Sequence, residues 1–256
     1  MTGQVLWKQD TVRIPTLFPS WELPYPKVVS LRYTQEVGET VLIVGCGDNQ
    51  IRTYDAKGHL LNAYYTYATV PDAVEVTDID GDGVTEVMAA GKTESSSGTF
   101  YVHDIKGNPK RNIAVSGWLC NIRSHELRKR DDGYILVTGM NYSKNFKIFR
   151  IQKDQVTVVS EKYLGGTVNS VCINKDQTAV YAGTSKGSVL GFDSEGNGLW
   201  HVFVKDSVKQ LFEAGESVTA ICENGRVCTL SKDGSILGFG CLPEKPICFE
   251  KCDDEI

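Results

Sequence analysis

Hydrophobic residues along this chain come in short alternating runs, separated by clusters of Gly, Asp, Asn, Ser and Lys. Period-two alternation rich in Val, Ile, Tyr, Phe and Thr predicts half-buried β-strands. No long helical period competes with it. The runs themselves recur. An apolar strand ending near Gly, a short polar turn, a second strand ending in a polar residue, a Gly turn and a third strand occupy residues 41–62, 86–108, 134–155, 179–200 and 217–238. One further alternating run precedes each unit, at residues 28–31, 73–76, 119–122, 168–171 and 208–211. Four strands per unit, with units starting about 38–48 residues apart, is the spacing of propeller blades. The expected fold is all-β, a β-propeller of five to six four-stranded blades.

The expected blades are residues 28–70, 71–117, 118–166, 167–204 and 205–245 of a single domain spanning 1–256. The turn before the last strand of a blade is the most regular element. Asp55-Ala-Lys-Gly58, Asp104-Ile-Lys-Gly107, Asp193-Ser-Glu-Gly196 and Ser231-Lys-Asp-Gly234 share it. Asp or Ser bonds the backbone of its own turn, and Gly takes the positive-φ position. The third unit has Ile151-Gln-Lys-Asp154 instead, which predicts a longer or bulged hairpin. Residues 1–12 and 246–251 read as partial terminal strands, and the Pro-rich segment 13–27 as an insertion. Two readings of the ends stay open: the fragments pair into an incomplete closing blade that hides sheet edges, or the chain is one piece of a larger propeller.

Charge narrows the partners. The formal net charge of −5 argues against a nucleic-acid partner, which needs a basic face. Arg123, Arg128, Lys129 and Arg130 cluster, but Asp131 and Asp132 interrupt the run, and a solvated loop is expected. No apolar stretch reaches the roughly 18 residues of a membrane-spanning helix. The start of the chain has neither a basic region nor an apolar one of the signal-peptide kind, so a cytoplasmic location is expected. Eight cysteines in such a chain are expected as free thiols. Cys46, Cys120, Cys172, Cys222, Cys228, Cys241, Cys248 and Cys252 include one close pair, Cys248 and Cys252, whereas zinc usually takes two.

The densest candidate chemistry is Asp78-Ile-Asp80-Gly-Asp82-Gly83-Val84-Thr-Glu86. Acidic side chains at positions 1, 3, 5 and 9, with Gly at 6, suit one hard cation wrapped by oxygen ligands. Asp78, Asp80 and Asp82 would give side-chain oxygens, Val84 its carbonyl and Glu86 a carboxylate or a water-mediated contact. An EF-hand is excluded, because position 12 is Ala89 rather than a bidentate Glu and the flanks read as strands. The expected ion is a structural Ca²⁺ that stabilises the fold. The matching loop of the fourth unit, Asn174-Lys-Asp176-Gln177, lacks these ligands and reads as an ordinary turn.

Two repeat families resemble parts of the chain. Residues 70–91 resemble an FG-GAP-type repeat of the integrin α-subunit propeller, on Asp78, Asp80, Asp82, Gly83, Glu86, Val87 and Gly91. The resemblance implies a Ca²⁺ loop between the first two strands of that blade. Residues 179–200 resemble a PQQ-like, quinoprotein-type repeat, on Ala182-Gly183, Lys186-Gly187, Phe192-Asp193, Gly196 and Trp200. Quinoprotein dehydrogenases carry a vicinal Cys pair and more Trp-marked blades, so no PQQ is expected here. Both likenesses speak to architecture rather than activity.

No catalytic set can be assembled from spacing. His59, His103, His125 and His201 are scattered among blades and read as structural. Propeller geometry puts the loops joining strands two and three, with Asp48, Asn49, Lys92, Asn141, Asn145, Lys186, Glu223 and Arg226, on one face. The connections between blades, with Trp118, Gly165 and Gly166, share it. The expected function is a non-enzymatic scaffold or binding module for a protein or small polar ligand at that face. The alternative is a carbohydrate- or small-molecule-binding enzyme or sensor, or a fragment of a longer propeller protein.

Overall fold

The computed structural model describes residue 8 and residues 28–36, 39–66, 71, 73–91, 98–115, 122–153 and 155–243. They form five four-stranded antiparallel sheets, each a simple up-and-down meander. The first sheet holds β1 (Val28–Glu36), β2 (Glu39–Cys46), β3 (Gln50–Asp55) and β4 (Leu60–Tyr65). The second holds β5 (Ala73–Thr77), β6 (Glu86–Ala90), β7 (Thr99–Asp104) and β8 (Pro109–Ala114). The third holds β9 (Ile122–Arg130), β10 (Gly133–Met140), β11 (Asn145–Gln152) and β12 (Gln155–Tyr163). The fourth holds β13 (Val168–Ile173), β14 (Ala179–Thr184), β15 (Ser188–Asp193) and β16 (Gly198–Phe203). The fifth holds β17 (Val208–Ala214), β18 (Ser217–Cys222), β19 (Arg226–Ser231) and β20 (Ile236–Cys241). The terminal strands, the 13–27 insertion, Lys92, Trp118, Cys120, Cys248 and Cys252 lie outside the described residues. No helix among the described residues is long and apolar enough to cross a membrane.

The chain divides into two compact units, residues 1–121 and 122–256. In the first, Val41, Ile43 and Ile51 from one face of the first sheet pack on Val74, Val87 and Ala89 of the second. In the second unit, Ile135, Val137, Phe146 and Ile148 meet Val168, Val171, Ile173, Val180, Ala182 and Phe192. Cys172, Tyr181 and Val189 then meet Val208, Leu211, Val218, Ala220, Cys222, Cys228 and Leu230. Alternation along each middle strand supplies both faces, because successive side chains point to opposite sides of a sheet.

The Gly that ends the second strand of a blade has a steric cause. A Cβ on Gly183 would lie 2.5 Å from Cγ1 of Val208, the first residue of the next blade's inner strand. Polar bonds lock the same approach. Ser124 Oγ donates to the Val168 carbonyl, and Ser170 Oγ accepts from the Leu211 N–H, each at 2.9 Å. Glu126 Oε2 accepts the Ile173 N–H at 2.8 Å, and Glu213 Oε2 accepts that of Lys175 at 2.5 Å.

The Asp-x-x-Gly turns form as the sequence implies. Asp193 Oδ1 accepts the N–H groups of Glu195 and Asn197, while Oδ2 accepts the Asn197 amide. Asp55 and Asp104 repeat the arrangement with His59 and Asn108. In Ser231-Lys-Asp-Gly234, Gly234 has φ +87°, and a Cβ there would meet the Trp200 ring at 2.7 Å. Trp200 Nε1 also donates to the Lys232 carbonyl at 2.8 Å, so this turn is the seat on which the preceding blade's outer strand rests.

Two expectations change. Arg123, Arg128, Lys129 and Arg130 are not a loop; they lie on β9, where Arg128, Lys129 and Arg130 pair residue by residue with β10 and Arg123 falls at a bulge. The strand tolerates them because Arg128 pairs with Glu126 at 2.7 Å and Arg130 with Asp132 at 3.7 Å. The third unit's last hairpin is shorter, not longer, since β11 ends at Gln152 and β12 starts at Gln155. A bulge does follow Ile148, but the last strand pair of every blade carries one.

Candidate functional site

The loop between β5 and β6 gathers most of the acidic side chains expected to meet. Carboxylate oxygens of Asp78, Asp80 and Glu86 lie within 4.8 Å of one another. The loop's own backbone organises them. Asp78 accepts the N–H groups of Gly81 at 2.7 Å and Gly83 at 2.9 Å. Asp80 accepts from Asp82, and Asp82 from Val84. Gly81 and Gly83 have φ of +77° and +86°, which lets the chain curl around the carboxylates at no steric cost. Asp82 turns its second oxygen to Lys110 on β8, 3.3 Å away. Val84 contributes its N–H to the curl, and its side chain is exposed.

Glu86 decides what the loop can do. It is the first residue of β6, only 1% exposed. Its Oε2 accepts the Ile79 N–H at 2.9 Å, and its Oε1 accepts no hydrogen bond. Burial pushes its carboxyl up to about 7, and the negative charges of Asp80 and Asp82 push the same way against the Ile79 N–H and Lys110. A buried acceptor without a donor costs free energy. A hard cation supplies what that oxygen lacks, so the donor set, all oxygen and mostly anionic, fits Ca²⁺.

Other candidate residues fall elsewhere. Cys46, Cys172, Cys222 and Cys228 are buried free thiols in the sheet cores, and Cys241 is exposed. Burial pushes the thiols of Cys46 and Cys222 up to about 11, which keeps them protonated and unreactive. His59 closes its own turn on Asp55, and His201 meets Ser188 Oγ at 3.0 Å. His103 is buried with its ring 5.3 Å from that of Tyr64.

Within the second unit, the loops at the end opposite the Asp-x-x-Gly turns are bonded to one another, mostly inside one blade and once, between Thr167 and Asn141, across a blade boundary. Leu164 N–H donates to the Lys144 carbonyl, Thr167 Oγ1 to Asn141 Oδ1 and Ser185 N–H to the Thr167 carbonyl. Val204 N–H donates to Gly187, Glu223 N–H to Ser207, and Asn224 N–H to Asp206 Oδ2. Gly166 lies against Lys186 with no room for a side chain. Tyr142, Lys186, Lys205 and Glu223 stand exposed on this surface, and Asn145 and Arg226 are half-buried. In the first unit, Asn49 closes the corresponding loop by accepting the Thr66 N–H.

Asp48 departs from its expected place. It is 1% exposed, 2.5 Å from the equally buried Arg52, which also donates to Gln50. Burial raises the Asp48 carboxyl while Arg52 opposes it. Arg52 was not singled out in the sequence. Its signal was an Arg at a strand position where the fourth blade has Leu190.

Five up-and-down, four-stranded sheets, with inner strands packed blade on blade within each unit, define the class: a β-propeller. No protein-family model matches the chain, and no curated protein matches it in sequence. Solved structures do resemble it. BBS1N, crystallised in complex with ARL6DN, superposes with a TM-score of 0.67 at 12% identity, over 85% of this chain and 69% of that one. Sqt1 from Saccharomyces cerevisiae gives 0.65 at 16% identity, over 83% of this chain and 61% of that one. BamB from Moraxella catarrhalis gives 0.60 at 15% identity, over 81% and 60%. These likenesses carry the fold.

Proposed function

We propose that the chain is a non-enzymatic propeller module that binds a protein, with one structural Ca²⁺ in the Asp78–Glu86 loop. The observation that carries the binding role is the stitched surface of the second unit. Its backbone is held by bonds between loops, so a partner would meet it with little ordering cost. Tyr142 offers an aromatic anchor, and Lys186, Lys205 and Glu223 offer a mixed-charge rim. Two of the similar propellers were crystallised with a protein partner: BBS1N with ARL6DN, and Chaetomium thermophilum Sqt1 with the N-terminus of the ribosomal protein L10. The Ca²⁺ reading, and with it the FG-GAP-type resemblance of that blade, rests on the buried Glu86 oxygen that accepts no hydrogen bond. The ion would neutralise the carboxylates and fix the loop to β6.

The binding role is tested by crosslinking in cell extract with the wild type, with Tyr142→Ala/Lys186→Ala/Glu223→Ala, and with an outer-strand control, Leu199→Ala/Phe203→Ala. A defined protein retained by wild type and control but lost by the triple variant is the expected result. Equal capture by all three overturns the assignment of the surface. The Ca²⁺ role is tested by melting with ion and with chelator. An ion at a hundredfold its Kd adds about 2.7 kcal/mol to stability, and Glu86→Gln should erase that gain.

A further inference from the structure

We propose that Lys110 is a tethered cation of the Asp78–Glu86 loop: it balances the carboxylates when no ion is bound and competes with a divalent cation for them. The proposal rests on the reading of that loop as a Ca²⁺ site.

Lys110 does not belong to the loop. It comes from β8, the outer strand of the same sheet, two strands away from β6. Its Nζ is 3.3 Å from Asp82 Oδ2 and 3.9 Å from Glu86 Oε1. It therefore bridges the loop carboxylate that stands outside the convergent trio and the buried oxygen that accepts no hydrogen bond.

The two distances mean different things. At 3.3 Å the ammonium donates to Asp82. At 3.9 Å it is beyond hydrogen-bond range of Glu86 Oε1, so it attracts that oxygen by charge and leaves its lone pairs unused. The lysine thus offsets negative charge without filling the coordination position.

A divalent ion held by Asp78, Asp80 and Glu86 would sit beside the ammonium. Like-charge repulsion would then oppose it, and the bond holding Asp82 away from the trio would have to break before Asp82 could join. Lysine suits such a role. Its charge is a compact point on a flexible four-carbon stem, and this side chain is about one-third exposed, so it can swing into water. The site is consequently weaker than its count of carboxylates implies. Neutralising Lys110 tightens it.

The experiment is a Ca²⁺ titration by calorimetry, with parallel melting curves, on the wild type, Lys110→Met, Lys110→Gln and Glu86→Gln. Lys110→Met and Lys110→Gln should bind Ca²⁺ at least about tenfold more tightly than the wild type, while melting lower than it in chelator. Glu86→Gln should lose binding. Equal affinity in the wild type and both Lys110 variants overturns the tethered cation and leaves the Ca²⁺ reading standing. No Ca²⁺ binding in any of the four proteins overturns both. Two Lys110 variants of different polarity keep the test valid if one of them folds poorly.

Discussion

Two loops in this protein do the same topological job and solve it with opposite chemistry. Residues 78–85 join the first two strands of the second blade, and residues 174–178 join those of the fourth. The fourth-blade loop is organised by Asn174. Asn174 Oδ1 accepts the Ala179 N–H at 2.7 Å, its Nδ2 donates to Thr178 Oγ1 at 3.1 Å, and its carbonyl accepts the Gln177 N–H. A side-chain amide carries both donors and an acceptor, so one buried Asn can organise the turn. Carboxylates only accept. Asp78 and Asp80 use up the loop's own N–H groups, and Glu86 still holds an oxygen with no donor. One loop is completed by Asn174 together with Glu213 and Lys129 of the neighbouring strands, and the other keeps a buried carboxylate oxygen that accepts no hydrogen bond.

Breaking each loop should separate the two. Asp78→Ala removes the acceptor of two backbone N–H groups and an ion ligand together. It should cost about 2–3 kcal/mol in Ca²⁺, read by denaturant unfolding, and abolish the difference between Ca²⁺ and chelator. Asn174→Ala should cost about 1–2 kcal/mol, equally with and without Ca²⁺, because no ion takes part. Asn174→Asp keeps the acceptor and loses the donor to Thr178. It should cost less, about 0.5–1 kcal/mol, and create no Ca²⁺ response, which melting curves would show. A Ca²⁺-dependent gain in Asn174→Asp would mean that one carboxylate at this position suffices, and the contrast would fail.

Titration sharpens the contrast further, because the two kinds of carboxylate shift in opposite directions. Glu86 is pushed up to about 7 by burial, so in chelator the folded state holds a proton that the unfolded chain releases above its ordinary value near 4.5. Stability from this group should therefore rise as pH falls from about 7.5 towards 5, and Glu86→Gln should flatten that slope. Asp193 is held below the usual carboxylate range by the Asn197 amide and N–H and the Glu195 N–H. Its contribution is present above the unfolded value near 3.9 and lost as pH falls below it, so Asp193→Asn should blunt the acid limb of the melting profile.

Much of the architecture was legible because it is local. The Gly near the end of second strands such as β14 and the Asp opening three of the last turns are answers to short-range demands, a close backbone approach and a self-bonded turn. The charged stretch Arg128–Arg130 was misread for the converse reason. A run of charges looks solvated in one dimension, but on β9 residues two apart share a face, and there Arg128 pairs with Glu126 and Arg130 with Asp132. The third blade's hairpin misled because Ile151-Gln-Lys-Asp154 lacks the turn Gly, and the chain answers by pairing Gln152 with Gln155 and giving Lys153 a φ of +47°.

What the sequence by itself determined is the repeat: strand lengths, turn chemistry, and the one loop whose acids are spaced for a cation. Period and spacing are properties of neighbours along the chain, and they survive without knowledge of the fold. What only the tertiary structure decided is which of those groups are buried and which distant groups reach them. Asp48, expected on an open face, lies buried against Arg52. Lys110, lost among the residues of an outer strand, stands over Asp82 and Glu86. Desolvation and charge act through space rather than along the chain, so those two facts required the folded sheets.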